Sequence, residues 1–160
     1  MKVRIGNYKS ERSKKPRIEK VSVHPWDTYS ADNTLAMVIY PVLVAYKKDV
    51  QDKGVVPADF LDTVDVTGMS DEDAQALHEK LFNEALLKWE GLLDEMIWSF
   101  DEVRGDYAGE EAFFKIKDEN ADLGDLGNRY DIDNNGLNDY YEKIDMGLQL
   151  FARYYRSLWW

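Results

Sequence analysis

The sequence predicts a mainly α fold: a compact bundle of three principal helices carrying a small N-terminal β-hairpin or ribbon. Three observations carry this expectation. Residues 31–48 form one long, nearly uncharged apolar run, residues 70–103 repeat apolar side chains every three or four positions, and residues 137–158 do the same. Apolar side chains recurring at that period line one face of an α-helix, so three such segments in 160 residues give a bundle.

At the N-terminus, residues 2–5 (KVRI) and 17–23 (RIEKVSV) alternate apolar and charged side chains, the period-two pattern of short half-buried strands. The polar stretch KSERSKKP separates them. Residues 1–20 hold eight Lys and Arg against Glu11 and Glu19, so a basic arm of net +6 precedes a body of net −17. Such an arm can fold back on its own acidic surface or reach an acidic partner or nucleic acid.

Ser30 or Asp32 is placed to cap the helix through ADNTLAMVIYPVLVAYKK, which is apolar enough to be buried around most of its circumference. Pro41 lies inside it, lacking an N–H and crowding the preceding turn, so a kink between Met37 and Pro41 is expected. Residues 49–69 read as a connection with one turn after Pro57. The second helix opens at Ser70 with three acids in its first turn, favourable beside the positive helix end. Leu77, Leu81, Ala85, Trp89, Leu92, Met96, Phe100 and Val103 form its apolar stripe, and Gly91 marks a bend or a close helix contact. EEAFFKIK reads as one short helix or strand amid polar residues 105–130. The third helix presents Leu137, Tyr141, Ile144, Leu148, Phe151, Tyr155 and Leu158. The whole reads as one domain, residues 1–24 forming the basic arm with its strands and 30–160 the helical body.

Composition excludes several chemistries. Without cysteine there are no disulfides, thiolate metal sites or cysteine nucleophiles, and with only His24 and His78 a histidine cage or triad is hard to assemble. Any metal would be a hard cation held by oxygen: calcium, magnesium or manganese. A net charge of −11 argues against duplex DNA binding, which depends on Lys and Arg displacing counterions. No apolar run reaches the ~20 residues needed to cross a bilayer, and no apolar segment of a secretory signal follows the basic start. Glycine-rich nucleotide loops, the GxSxG elbow and the HExxH zinc motif are missing.

Three groups of residues remain as candidates. In YDIDNNGLNDYYE, Asp131, Asp133, Asn135, Asp139 and Glu142, with Gly136, fall at the spacing of oxygen ligands in a twelve-residue calcium loop. The competing assignment makes DNNG a turn and Asn134, Asn135 or Asn138 the cap of the third helix. On the second helix, Asp94 with Asp101 and Glu95 with Glu102 lie two turns apart and could bracket magnesium or manganese in a phosphate-processing site, or be a solvated face. At the C-terminus, Arg153, Tyr154, Tyr155, Arg156, Trp159 and Trp160 could stack a base or anchor a partner protein, or close the bundle.

WDTYSADNTLAMVIYPVL, LLDEMIWSF and GLQLFARYYRSLW, together with the initial MKVRIG, resemble an uncharacterised protein family of tailed bacteriophages. Its members carry similar DTWSxDxTLA, LDEMIWxF and LFxxYYxxLW segments in the same order, and NYKSERSKKP stands where they carry additional helical sequence. The resemblance implies a viral protein made in the cytoplasm of a bacterial host, or carried in the virion. It implies no activity that can be placed on residues. The expectation is therefore an accessory or virion-associated protein that contacts another phage or host protein without catalysis. The alternatives are a carboxylate-metal enzyme acting on nucleotides or nucleic acid, and a host-defence antagonist that mimics DNA or binds a nucleotide signal.

Overall fold

In the structure, a computed structural model, residues 1–5, 19–61, 64–120 and 126–158 are described. The chain is mainly helical. Strands β1 (Lys2–Ile5) and β2 (Glu19–Ser22) pair antiparallel, with Val3 opposite Val21 and Arg4 opposite Lys20. The polar arm between them lies outside the described residues. Helix α1 spans Ala31–Lys53, α2 Asp71–Arg104 and α4 Asn134–Tyr154. Between α2 and α4 lie a 3-10 helix (Ala108–Phe113), strand β3 (Phe114–Ile116), the single turn α3 (Leu126–Arg129) and strand β4 (Tyr130–Ile132). β3 and β4 form a second antiparallel ribbon, so EEAFFKIK is both a helical turn and a strand.

Helix α2 is the axis. α1 and α4 both pack along it, and the buried core runs down its length through Trp89, Leu93, Met96, Phe100 and Val103. Each such side chain removed from water contributes about 1.5–3 kcal/mol, which offsets the entropy of ordering the chain. Trp89 is fully buried with Tyr46 of α1, Phe60 of the α1–α2 connection and Tyr154 of α4 around it, at ring separations of 6.4, 5.2 and 5.6 Å. Among the described residues, its indole N–H has no hydrogen-bond partner of normal geometry.

Glycine determines where two helices meet. A Cβ on Gly147 of α4 would lie 2.0 Å from Ser99 Oγ and 2.7 Å from the Glu95 carbonyl oxygen of α2. Ser99 is itself fully buried, and its hydroxyl leans toward the Lys143 carbonyl at 3.4 Å. Gly91, where the sequence suggests a bend or close contact, has no neighbour within 4 Å of an added Cβ. The close approach is made by the other helix.

Several expectations are corrected in detail. Helix α1 buries only Ala36, Leu43 and Val50, one residue every seven, because α2 covers a single face of it. Leu35, Met37, Val42 and Val44 remain exposed, so its apolar circumference is not mostly buried. Pro41, where the kink is expected, does not end the helix; it sits on the exposed side, where water can reach the carbonyl that proline leaves unpaired. Ser30 occupies the cap position of α1 without a side-chain bond, whereas Ser70 accepts from the Asp73 amide and caps α2. On α4, Tyr140 and Tyr154 turn toward the core while Tyr141 and, just past the helix end, Tyr155 are exposed: the seam is Tyr140, Ile144, Gly147, Phe151 and Tyr154, because Gly147 rather than Leu148 meets Ser99 where the helices approach most closely.

The two glycines should respond oppositely to alanine. Gly147→Ala forces a methyl against backbone and is expected to lower Tm by roughly 3–10 °C, from an overpacking cost of about 1–3 kcal/mol. Gly91→Ala meets open space and gains helix propensity, so thermal denaturation should show a rise of roughly 2–4 °C.

Candidate functional site

The segment read as a calcium loop is divided between elements. Asp131 lies in β4 opposite Lys115, Asp133 is the N-cap of α4, and Asn135, Asp139 and Glu142 are exposed along the helix. Asp133 Oδ1 accepts from the Gly136 amide at 3.0 Å, so Asp133 takes the capping role rather than Asn134, Asn135 or Asn138. A calcium loop needs glycine at its sixth position for a sharp turn, but among the described residues only Gly54 and Gly68 are glycines of positive φ. Gly136 is instead helical and small because Phe113 packs over it, 2.8 Å from where a Cβ would stand. Among the described residues, no group of three or more His, Asp or Glu side chains could hold a metal ion.

The four carboxylates of α2 are also dispersed. Asp94 pairs with Lys47 of α1 at 2.5 Å, and Asp101 pairs with Arg104, whose guanidinium also stacks on Tyr40 at 4.1 Å. Glu95 lines a shallow recess with Met146, Gln149, Leu150 and Arg153. Glu102 serves the turn after α2: its Oε2 accepts from the Tyr140 hydroxyl at 2.6 Å and from the Gly109 amide at 3.3 Å. That turn contains Asp106 and Tyr107, both at φ 59°, a conformation L side chains rarely adopt. It is secured from α1 by Asp32, which accepts from the Tyr107 hydroxyl, and by Asn33, which donates to the carbonyls of Val103 and Arg104. Asp32 thus tethers a distant turn instead of acting at its own helix end. Asp27, its companion in the sequence, accepts from the N-terminal ammonium at 2.6 Å and from the His24 amide, and both bonds hold its carboxyl below the usual range.

The C-terminal candidates do converge on a cavity. Gly54 ends α1 in the left-handed conformation, and the connection that follows (residues 55–61) turns back across the end of α4. Phe60 from this connection packs on Trp89 and, at 5.4 Å, on Tyr154. The Tyr46 hydroxyl donates to the Ser157 carbonyl, holding the turn after α4 against α1. Burial raises the Tyr46 pKa, so this phenol stays protonated to act as that donor. The result is a cleft of about 710 Å³ with Val55, Val56, Pro57 and Leu61 on one side and Arg153, Arg156 and Ser157 on the other. A side recess of about 390 Å³ shares Asp59 and Arg153 and adds Phe60, Lys88 and Tyr154. Tyr154 belongs partly to the core, whereas both arginines are exposed; Trp159 and Trp160 lie outside the described residues.

No family model, curated protein or solved structure matches this chain. Its chemistry therefore has to be read from its own residues.

A second surface is apolar. From Asn33 to Tyr46 α1 contains no charged residue, and Val42 is 62% exposed on its outer side. At the start of the helix the hairpin joins this face, since Met1, Val3, Asp27, Thr34, Met37 and Val38 line one recess. Val21 and Val23 are more exposed than Val3, and Trp26 and Tyr29, 76% and 85% exposed, stand beside each other in the turn before α1. Sequence reading missed this face because it expected the same residues inside. Among the described residues, no helix is long and apolar enough to cross a membrane.

Two measurements probe these assignments. Asp133→Ala is expected to lower stability by about 1 kcal/mol through the lost cap, by the same amount in calcium and in chelator. A loss seen only in calcium would instead restore the ion site. Tyr140 has its pKa raised above the ordinary ~10, by burial first and then by the bond to Glu102. The folded state therefore prefers the neutral phenol. Its contribution is complete below pH ~10 and lost as pH rises toward the folded pKa, so denaturant titrations should show stability falling above pH ~10. Tyr140→Phe should flatten part of that fall.

Proposed function

We propose that this chain is a non-catalytic interaction protein of a tailed bacteriophage, an accessory or virion-associated component that seats a partner protein on the outer face of α1. The observation that carries this reading is the uncharged exposed surface of α1, with Leu35 and Val42 on one flank, Met37 and Val44 on the other and Pro41 and Ala45 between them, continued by the hairpin and by Trp26 and Tyr29. Contiguous exposed apolar surface of this kind, rimmed by charged residues, is uncommon on a protein that works alone and typical of a docking face. Aromatic residues at its edge are the side chains that most often anchor such contacts. The phage setting is supported by the resemblance of three helical segments and rests on it alone.

The carboxylate-metal reading has less behind it. Asp94, Asp101 and Glu102 each serve a different structural partner, and an ion bridging them would have to displace those contacts.

Partner capture from phage-infected cells tests the proposal. Leu35→Glu with Val42→Glu is expected to leave the Tm nearly unchanged, since both positions are exposed, and to abolish capture of partners retained by the wild type. The exposed control Gln75→Glu on α2 should retain them. Undiminished capture by the double variant would remove α1 as the docking face.

A further inference from the structure

We propose that the cleft between the 55–61 connection and the end of α4 binds a small phosphate ester with an apolar or planar body. This inference concerns a different surface from the α1 face and stands independently of the partner reading.

Charge is the first support. In a chain of net charge −11, Lys88, Arg153 and Arg156 gather around one cleft and its side recess, with Asp59 as the one carboxylate among the described lining residues. None of the three cations forms an ion pair with a described carboxylate; Arg153 and Lys88 lie instead against the rings of Tyr154 and Phe60, at 5.3 and 5.6 Å. The negative end of α4 favours a cation at Arg153 but does not account for three gathered at a cavity. Among the described residues no carboxylate takes up their donors.

Shape and chemistry narrow the ligand. A volume of about 710 Å³ suits a small organic molecule, and the walls are already held by Phe60 against Trp89 and Tyr154 and by the Tyr46–Ser157 bond. Arg153 lines both spaces, with Arg156 beside it in the cleft and Lys88 in the recess, against Asp59 as the shared carboxylate; this excess of cation suits a dianion better than a single carboxylate, and planar forks match phosphate oxygens bidentately. On the wall formed by the connection, Val55, Val56, Pro57, Ala58 and Leu61 are apolar and Asp59 is the one polar side chain among the described residues, so the rest of the ligand should be apolar or a ring face.

Amide NMR shifts of the full chain titrated with phenyl phosphate, inorganic phosphate, benzoate and benzyl alcohol test this. Phenyl phosphate should shift amides of residues 55–61 and 153–157 saturably and bind at least ~10-fold more tightly than each other probe. Arg153→Gln with Arg156→Gln should weaken it by ~10-fold or more while leaving distant amides in place, and Lys80→Gln should change nothing. Equal binding of benzoate, affinity indifferent to the arginines, or shifts absent from the cleft would each overturn the proposal.

Discussion

Where α4 crosses α2, the missing side chain of Gly147 lets the backbones close until Ser99 Oγ and the Glu95 carbonyl occupy the space a methyl would need. This contact sets the depth at which every other α4 residue meets the core. With it in place, Ile144 is buried, Phe151 reaches Phe100 at 4.9 Å and Tyr154 reaches Trp89. The Tyr140–Glu102 bond and the turn built on it lie two helical turns along the same interface. A side chain at 147 would push the helices apart and loosen each of these contacts together, because close-packed interiors transmit displacement instead of absorbing it.

The arrangement has a consequence for surface. With α2 as the axis and α1 and α4 along it, each flanking helix gives one face to the core and leaves another outward. On α4 the outward face is mostly polar, with Met146 and Tyr141 among its exposed side chains. On α1 it is Leu35, Met37, Val42 and Val44, which nothing in the described chain covers. The cleft arises at the opposite end of α1 from the hairpin, where the connection to α2 must cross α4 and Phe60 pins it to Trp89. Both surfaces are by-products of a core centred on one helix, and both are where binding chemistry is available.

The polar motifs show why ligand-like spacing is ambiguous. Asp131 to Glu142 has oxygen side chains at calcium-loop intervals, but α4 begins at Asn134, so the backbone is helical where a loop would wrap. The same residues that can ligate also cap, and Asp133 caps. Likewise the α2 carboxylates pair up along the helix in sequence and yet are drawn apart by Lys47 of α1, by Arg104 one turn along α2 and by Tyr140 of α4. Spacing specifies which face a side chain occupies, whereas the partners of Asp94 and Glu102 come from other helices.

By itself the sequence determined the three helices, the Ser70 cap, the antiparallel hairpin, the exclusion of thiolate chemistry and the choice of Arg153 and Arg156 as candidates. These follow from periodicity, local hydrogen bonding and composition, which act over a few residues. Tertiary structure alone decided that the apolar face of α1 stays open, that Tyr140 rather than Tyr141 turns inward, that the close glycine is 147 rather than 91, and that Val55 to Leu61 face the two arginines. Each depends on which surfaces meet and how closely, and that is settled by contacts between residues far apart in the chain.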